Sequence, residues 1–389
     1  MVIGLSAVFT ACTDLLDIEP NNKITPNELF NNPNGAKAFM ATIYRDLPIE
    51  DYMFMPGTSG EGGFNNPTGN IGLLWYANIC EEAVQSQWGE QSPGYVIRAD
   101  YFNHGYETLR NINLLKSIIP TLDIRDSEKK ELEGEVAFMT AYVYFYLAEK
   151  FGGVPLIKEL QEYDPANPGA LVVPRSTEYD TWDYVMQQCD LAAAQLPKER
   201  SDRRATRWAA LALKSRAALY AASIAKYNAM MVNPLKTEGA EVGIDASKAN
   251  SYYEIALTAA QEVITSSPYS LMKTNSTKWQ DLADNFYNAI CEKNGNTEVM
   301  WVRDYVYPGQ THGFTKSCIP RNMNQDVESS MMSVLLNLVE AYEPLSTSTP
   351  GVAAKFETGN VQDPVFFDTP TELFTARDPR LGGTVLYPG

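Results

Sequence analysis

The chain has 389 residues, 44% hydrophobic and 20% charged, the profile of a folded protein with ample core. Its formal net charge of −17 argues against nucleic acid as the main partner, and against adhesion to anionic lipid by charge alone. Five cysteines with no CxxC spacing, and two histidines, His104 and His312, leave little material for a zinc site, a disulfide frame or a His-based triad.

Residues 1–11 form the one membrane-like run. It is too short to span a bilayer but matches the apolar core of a secretory signal, without the usual basic start because no Lys or Arg precedes Lys23. Cys12 follows, and then an extended lead-in punctuated by Pro and Asn over 13–27. A first helix is expected over 28–47, and a long loop rich in Gly, Asn and Pro over 51–94. That loop holds GTSGEGG, which lacks the GK[ST] ending of a phosphate loop and reads as plain loop.

The middle of the chain has helical periodicity. Tyr106, Leu109, Ile112, Leu115 and Ile119 fall on one face of one helix. A second is expected to open at Ser127-x-x-Lys130 with Glu131 and to stop at Gly152-Gly153 and Pro155, with Tyr142, Phe145 and Tyr146 at core spacing. A third carries the stripe Tyr179, Trp182, Met186, Cys189, Ala193 and Leu196, with Cys189 a small buried side chain. A fourth carries Trp208, Leu211, Ala212, Ser215, Leu219 and Ala222. A fifth carries Tyr253, Ala256, Leu257, Ala260 and Ile264. Each sets small residues against bulky rings, the interlocking of tetratricopeptide-like hairpins, although no strict repeat is visible. The fold expected is mainly α, an irregular tetratricopeptide-like helical array with a loop-rich second region.

Six stretches in order carry a family resemblance: CTDLLDIEPNNKIT, GEVAFMTAYVYFYLAEKFGGVPLI, RRATRWAALALKSRAALYAAS, NTEVMWVRDY, LLNLVEAYE and ARDPRLGGTVLYPG. Together they resemble the SusD/RagB family of outer-membrane nutrient-uptake lipoproteins. The resemblance divides the chain into a partial lipoprotein signal (1–11), a lipid-anchored tether (12–27), an N-terminal helical region (28–270) and an incomplete C-terminal region (271–389). The family normally continues past the RDPRL block and has a basic start to its signal, so residues are expected beyond both ends. The lipobox VFTAC has Phe9 where Leu is usual.

What the resemblance implies is a surface-facing, non-enzymatic lid on a SusC-like TonB-dependent transporter barrel. Such a lid captures oligosaccharide, or peptide in some branches, and needs no cofactor or metal. Cys12 would carry the lipid that holds it to the outer membrane, where two or more acyl chains give stable anchoring. Sugars present apolar C–H faces and many hydroxyls, so a glycan site needs exposed rings flanked by polar side chains. Two regions supply them: Asn65, Asn66, Trp75 and Trp88, then Arg303, Tyr305, Tyr307 and His312. Trp301, in the apolar block EVMWV, reads as a core ring, and Arg377, Asp378 and Arg380 read as a local salt-bridged turn. Two other functions compete. An all-α glycosidase would need two carboxylates flanking one bond. A tetratricopeptide-type scaffold would bind protein segments in a helical groove.

Overall fold

Alternation of alanine with large rings along the middle of the chain builds a stack of helices. The structure, a computed structural model, describes residues 33–49, 80–85, 101–308, 318–319, 332–345, 362, 364, 366–372, 374 and 377–387. In chain order the elements are α1 (Pro33–Asp46), β1 (Ala83–Gln85), α2 (Tyr101–Ile118), α3 (Asp126–Phe151), α4 (Glu178–Gln195), α5 (Arg207–Asn228) and α6 (Ala249–Ser266). Then come α7 (Trp279–Cys291), β2 (Met332–Val334), α8 (Leu336–Ala341) and α9 (Arg380–Thr384). From α1 to α6 each helix packs on the next in sequence, giving the all-α, tetratricopeptide-like array. β1 pairs antiparallel with β2, Val84 opposite Ser333.

One continuous core runs through the array, with Trp182, Trp208, Tyr144 and Phe138 fully buried. The stripe Leu109, Ile112, Leu115 and Ile119 is buried as the spacing predicts, and so are Trp182, Met186, Cys189, Ala193 and Leu196. Helix α3 starts at Asp126, ahead of the expected signal, because Glu128 rather than Glu131 reaches back to the Arg125 backbone N–H. Threonines cap the next two helices: Thr177 Oγ1 accepts from the Asp180 amide and Thr206 Oγ1 from the Ala209 amide.

Two stripes differ from expectation. On α5, Leu219 is exposed while Ala210, Leu213, Ala217, Ala218, Ala221 and Ala225 are buried, because this helix lies between α4 and α6 and buries two faces. On α6, Leu257 and Ile264 are exposed, and the buried line is Tyr252, Ala256, Ala259 and Val263. The sequence there is written in apolar doublets: Ala256-Leu257 and Val263-Ile264 fit either of two helical faces. The smaller member of each turns inward, where Ser215 Oγ on α5 donates to the Ala256 carbonyl at 2.8 Å.

The Gly-Gly-Val-Pro turn that ends α3 has a steric cause. Gly152 has φ 72°, in the left-handed region, and a Cβ there would meet the Glu241 carbonyl oxygen at 2.6 Å. A Cβ on Gly153 would lie 2.1 Å from the Ser176 carbonyl oxygen. Arg175 then closes the helix end, donating through Nη2 to the Phe151 carbonyl and through Nε to that of Gly153, both at 2.7 Å.

The same device recurs. Arg207 Nη1 donates to Ala193 O in the last turn of α4 at 2.6 Å. Arg377, 5% exposed, places Nη1 2.8 Å from Tyr342 O and near the carbonyls of Val339 and Glu340, closing α8. Within ARDPRL, Asp378 and Arg380 pair at 2.6 Å as the sequence reading expects, and Arg377 in addition closes α8. A small second core of Val339, Leu381 and Val385 sits beneath Arg377.

Candidate functional site

Of the residues singled out in the sequence, Cys12, Asn65, Asn66, Trp75, Trp88 and His312 lie outside the described residues, as does the GTSGEGG loop. Arg303, Tyr305 and Tyr307 share one extended segment after α7. Tyr307 is 86% exposed, its ring offered to solvent, whereas Tyr305 is half-buried and its carbonyl accepts from Lys293 Nζ. Arg303 turns the other way: its Nη2 donates to the carbonyls of Tyr44 (3.4 Å) and Arg45 (3.2 Å), closing the C-terminal turn of α1.

Beside Arg303 lies a cavity of about 510 Å³, bounded by α1, the turn before α5 and residues 301–303. Its apolar walls are Trp301 and Tyr44, whose rings meet edge-on at 6.3 Å. Trp301 is half-buried rather than a core ring, and Phe138 (4.9 Å) and Tyr142 (5.3 Å) hold it by edge contacts. Lys37, Arg45, Arg203, Arg204 and Arg303 line the cavity with one carboxylate, Asp202.

A buried charge network fixes this lining. Glu135 on α3 is fully buried, and its Oε1 accepts from Arg204 at 2.7 Å and Arg200 at 3.1 Å. Burial pushes the Glu135 carboxyl above its ordinary value, with both guanidiniums opposing that rise. Burial, helped by the Glu135 charge, also raises the Tyr44 phenol. Asp202 shifts the other way: burial works against its charge, but hydrogen bonds from Arg204 and Arg200 outweigh that and hold its carboxyl at about 2. Arg203 has φ 63°, a left-handed conformation uncommon for a side-chain-bearing residue, and its Nε donates to Asp304 at 2.9 Å. That bond ties the turn before α5 to the segment bearing Arg303, Tyr305 and Tyr307.

A second cleft of about 440 Å³ beside α4 holds Asp180, Asp183, Tyr184 and Lys158. Asp183 there accepts from the Tyr252 hydroxyl at 2.8 Å, a bond that joins α4 to α6. Among the described residues no group of three or more His, Cys, Asp or Glu side chains is placed to hold a metal ion.

Sequence reasoning reached Arg303 but missed Lys37, Tyr44, Arg45 and the turn before α5. One signal was present: KERSDRRATRW packs Arg200, Arg203, Arg204 and Arg207 around Asp202 in an otherwise acidic chain. The α1 contributors carry no such mark, because nothing local places them opposite residues 301–303.

Comparison with known proteins adds a lineage to this geometry. Residues 77–219 match a SusD-like family model described as starch-binding associating with outer membrane. A curated relative, SusD-like protein P38 of Formosa agariphila, is 24% identical over 283 residues, 71% of this chain and 46% of that protein. The chain is similar to the SusD-like family across residues 77–219. Its SusD-like fold is shared with a SusD-like protein from Bacteroides fragilis, at TM-score 0.66 and 19% identity over 92% of this chain and 61% of that one. A SusD-like carbohydrate binding protein from the same organism superposes at TM-score 0.59 and 16% identity, over 91% of this chain and 60% of that one. The chain thus spans about half the length of its curated relative and three fifths of these structures.

Proposed function

We propose that this chain is the ligand-capturing part of a surface lipoprotein that binds oligosaccharide and hands it to a TonB-dependent outer-membrane transporter, without making or breaking bonds. The observation that carries this reading is the cavity at Trp301 and Tyr44, an aromatic-walled concavity with fixed hydrogen-bond donors on a SusD-like scaffold. Tyr307, exposed a few residues further along the chain, offers a second ring suited to a sugar face. In this reading Trp75, Trp88, Asn65, Asn66, Tyr305 and His312 complete the binding surface and Cys12 carries the lipid. The helical region gives way to the loop-rich region near residue 270. Coupling to a barrel would raise local ligand concentration, so modest affinity would suffice.

Titration calorimetry of the chain against a panel of polysaccharides and peptides tests the reading. Binding of at least one glycan, weakened by Tyr307→Ala, is expected; silence across the glycan panel overturns it. Mass spectrometry of membrane-extracted protein should find acyl chains on Cys12.

One observation favours a second reading, a scaffold for protein segments: Leu257 and Ile264 line up on the outer side of α6, 67% and 74% exposed. If that reading holds, Leu257→Asp abolishes capture of a partner chain, while Tyr307→Ala leaves it intact.

A further inference from the structure

We infer that the Trp301 cavity is a subsite for the negatively charged substituent of an acidic sugar, a carboxylate or a sulfate ester. This inference rests on the carbohydrate-binding reading and narrows it. The chain carries a formal charge of −17, yet the cavity lining has five cationic side chains and a single carboxylate. A neutral glycan needs no such inversion, since hydroxyls pair equally well with amides and carboxylates. Planar guanidinium forks match carboxylate and sulfate oxygens.

The donors are held before any ligand arrives. Arg204 is fixed by Asp202 and Glu135, Arg203 by Asp304, and Arg303 by the carbonyls of Tyr44 and Arg45. Fixing them in advance lowers the ordering cost of binding. Arg303 does a second thing for an anion. The carbonyl end of a helix repels negative charge, and this guanidinium covers that end of α1. Trp301 and Tyr44 supply the apolar face against which a sugar ring can lie, and about 510 Å³ accommodates a ring with its charged group.

A purely structural account of the cluster explains Arg200 and Arg204, which both donate to Glu135 Oε1. Arg45 pairs with Asp46 at 3.0 Å, but that account does not explain why Lys37, exposed on α1, faces the same concavity.

The test is calorimetry of the full chain with three trisaccharides: galacturonate-based, sulfated and neutral. At low salt, one charged ligand should bind roughly tenfold or more tightly than the neutral one, and that advantage should shrink at high salt. The carboxylate and sulfate arms show which group is preferred. The double variant Lys37→Ala, Arg45→Ala removes two exposed cations, releases Asp46 from Arg45, and leaves the buried network intact. It should weaken the charged ligand roughly tenfold and the neutral one within about twofold. If the double variant unfolds, the single Lys37→Glu change serves, with the same expected direction. Neutral binding equal to charged binding, or charged binding unmoved by the variants, overturns the inference and leaves the carbohydrate reading standing. Silence toward all three sugars overturns the carbohydrate reading itself. Equal binding of a tetraglutamate peptide overturns the assignment to a sugar.

Discussion

The array of α1 to α6 and the region of α7 to α9 are held together by different means. In the array, one core passes through six helices and contains two fully buried tryptophans, Trp182 and Trp208. Around α7 to α9 the separate core is Val339, Leu381 and Val385, and order comes from side chains bonded to distant backbone. Arg377 closes α8, and Trp279 Nε1 donates to the Arg377 carbonyl at 2.6 Å. Gly382 and Gly383 let α9 lie directly on α7: a Cβ on Gly382 would meet the Trp279 ring at 2.4 Å. Apolar area grows with the number of helices stacked, so the array tolerates the loss of a single bond better than the smaller region does.

The largest effect should come from removing the one buried acid of the array's charge network. Glu135→Ala leaves Arg200, 5% exposed, and Arg204 without their buried partner, and should cost about 3–5 kcal/mol in urea unfolding. Glu135→Gln, which keeps an acceptor, should cost less. Arg377→Ala comes next, at about 1–3 kcal/mol, because the α8 carbonyls lose a buried donor. Its signature should be local: hydrogen exchange speeds up in α8 and α9 while the amides of α3 to α5 keep their protection. Exchange that instead rises across the array would show that the two regions unfold as one.

This contrast also explains what the sequence disclosed. The stripe from Leu109 to Ile119 and the stripe from Trp182 to Leu196 were legible because burial on one face imposes the helical period on neighbouring residues. On α6 the period fitted two faces equally, and only the closeness of α5 chose the smaller residue of each doublet. Arginines that close helix ends leave no local mark. Arg303 reaches back to Tyr44 and Arg45, and Arg377 to residues 339–342, across separations that no periodicity records. The family-like blocks nevertheless carry them: Arg207 in RRATRW, Arg303 in WVRDY and Arg377 in ARDPRL each donate to helix-terminal carbonyls. These motifs serve at least partly to stop helices. The cavity was less legible than the fold, because it is assembled from three segments and only the arginine-rich one stands out in the sequence.

A smaller effect separates the regions by pH. Asp202 in the array accepts from two arginines, and Asp378 near α9 from Arg380 alone; both carboxyls are held below their ordinary value of 3.8. For a depressed acid the stabilisation is complete above the unfolded pKa and is lost as pH falls towards the folded one. For Asp202 that window runs from 3.8 down to about 2. Asp202→Asn should therefore lower Tm at neutral pH and converge with the parent protein near the bottom of that window. Asp378→Asn should give a shallower difference, within about 1 kcal/mol, since its partner Arg380 is 61% exposed. Glu135 has the opposite sign, its folded value being raised, so the variant-minus-parent difference isolates Asp202. An acid limb unchanged by Asp202→Asn would show that the turn before α5 is held by other contacts.

Thiol labelling sharpens the comparison without perturbing either region. Cys189 lies fully buried on α4, where burial pushes its thiol far above the ordinary range, so it can react only when the array opens. Cys291 is exposed at the end of α7 and needs no opening. With iodoacetamide and peptide mapping, Cys291 should be modified in the folded protein and Cys189 only as fast as the protein unfolds. Glu135→Ala should accelerate Cys189 and leave Cys291 unchanged; Arg377→Ala should accelerate neither. If Arg377→Ala speeds Cys189 as much as Glu135→Ala does, then α8 and α9 support the array, and the distinction between a self-sufficient stack and a dependent second region fails.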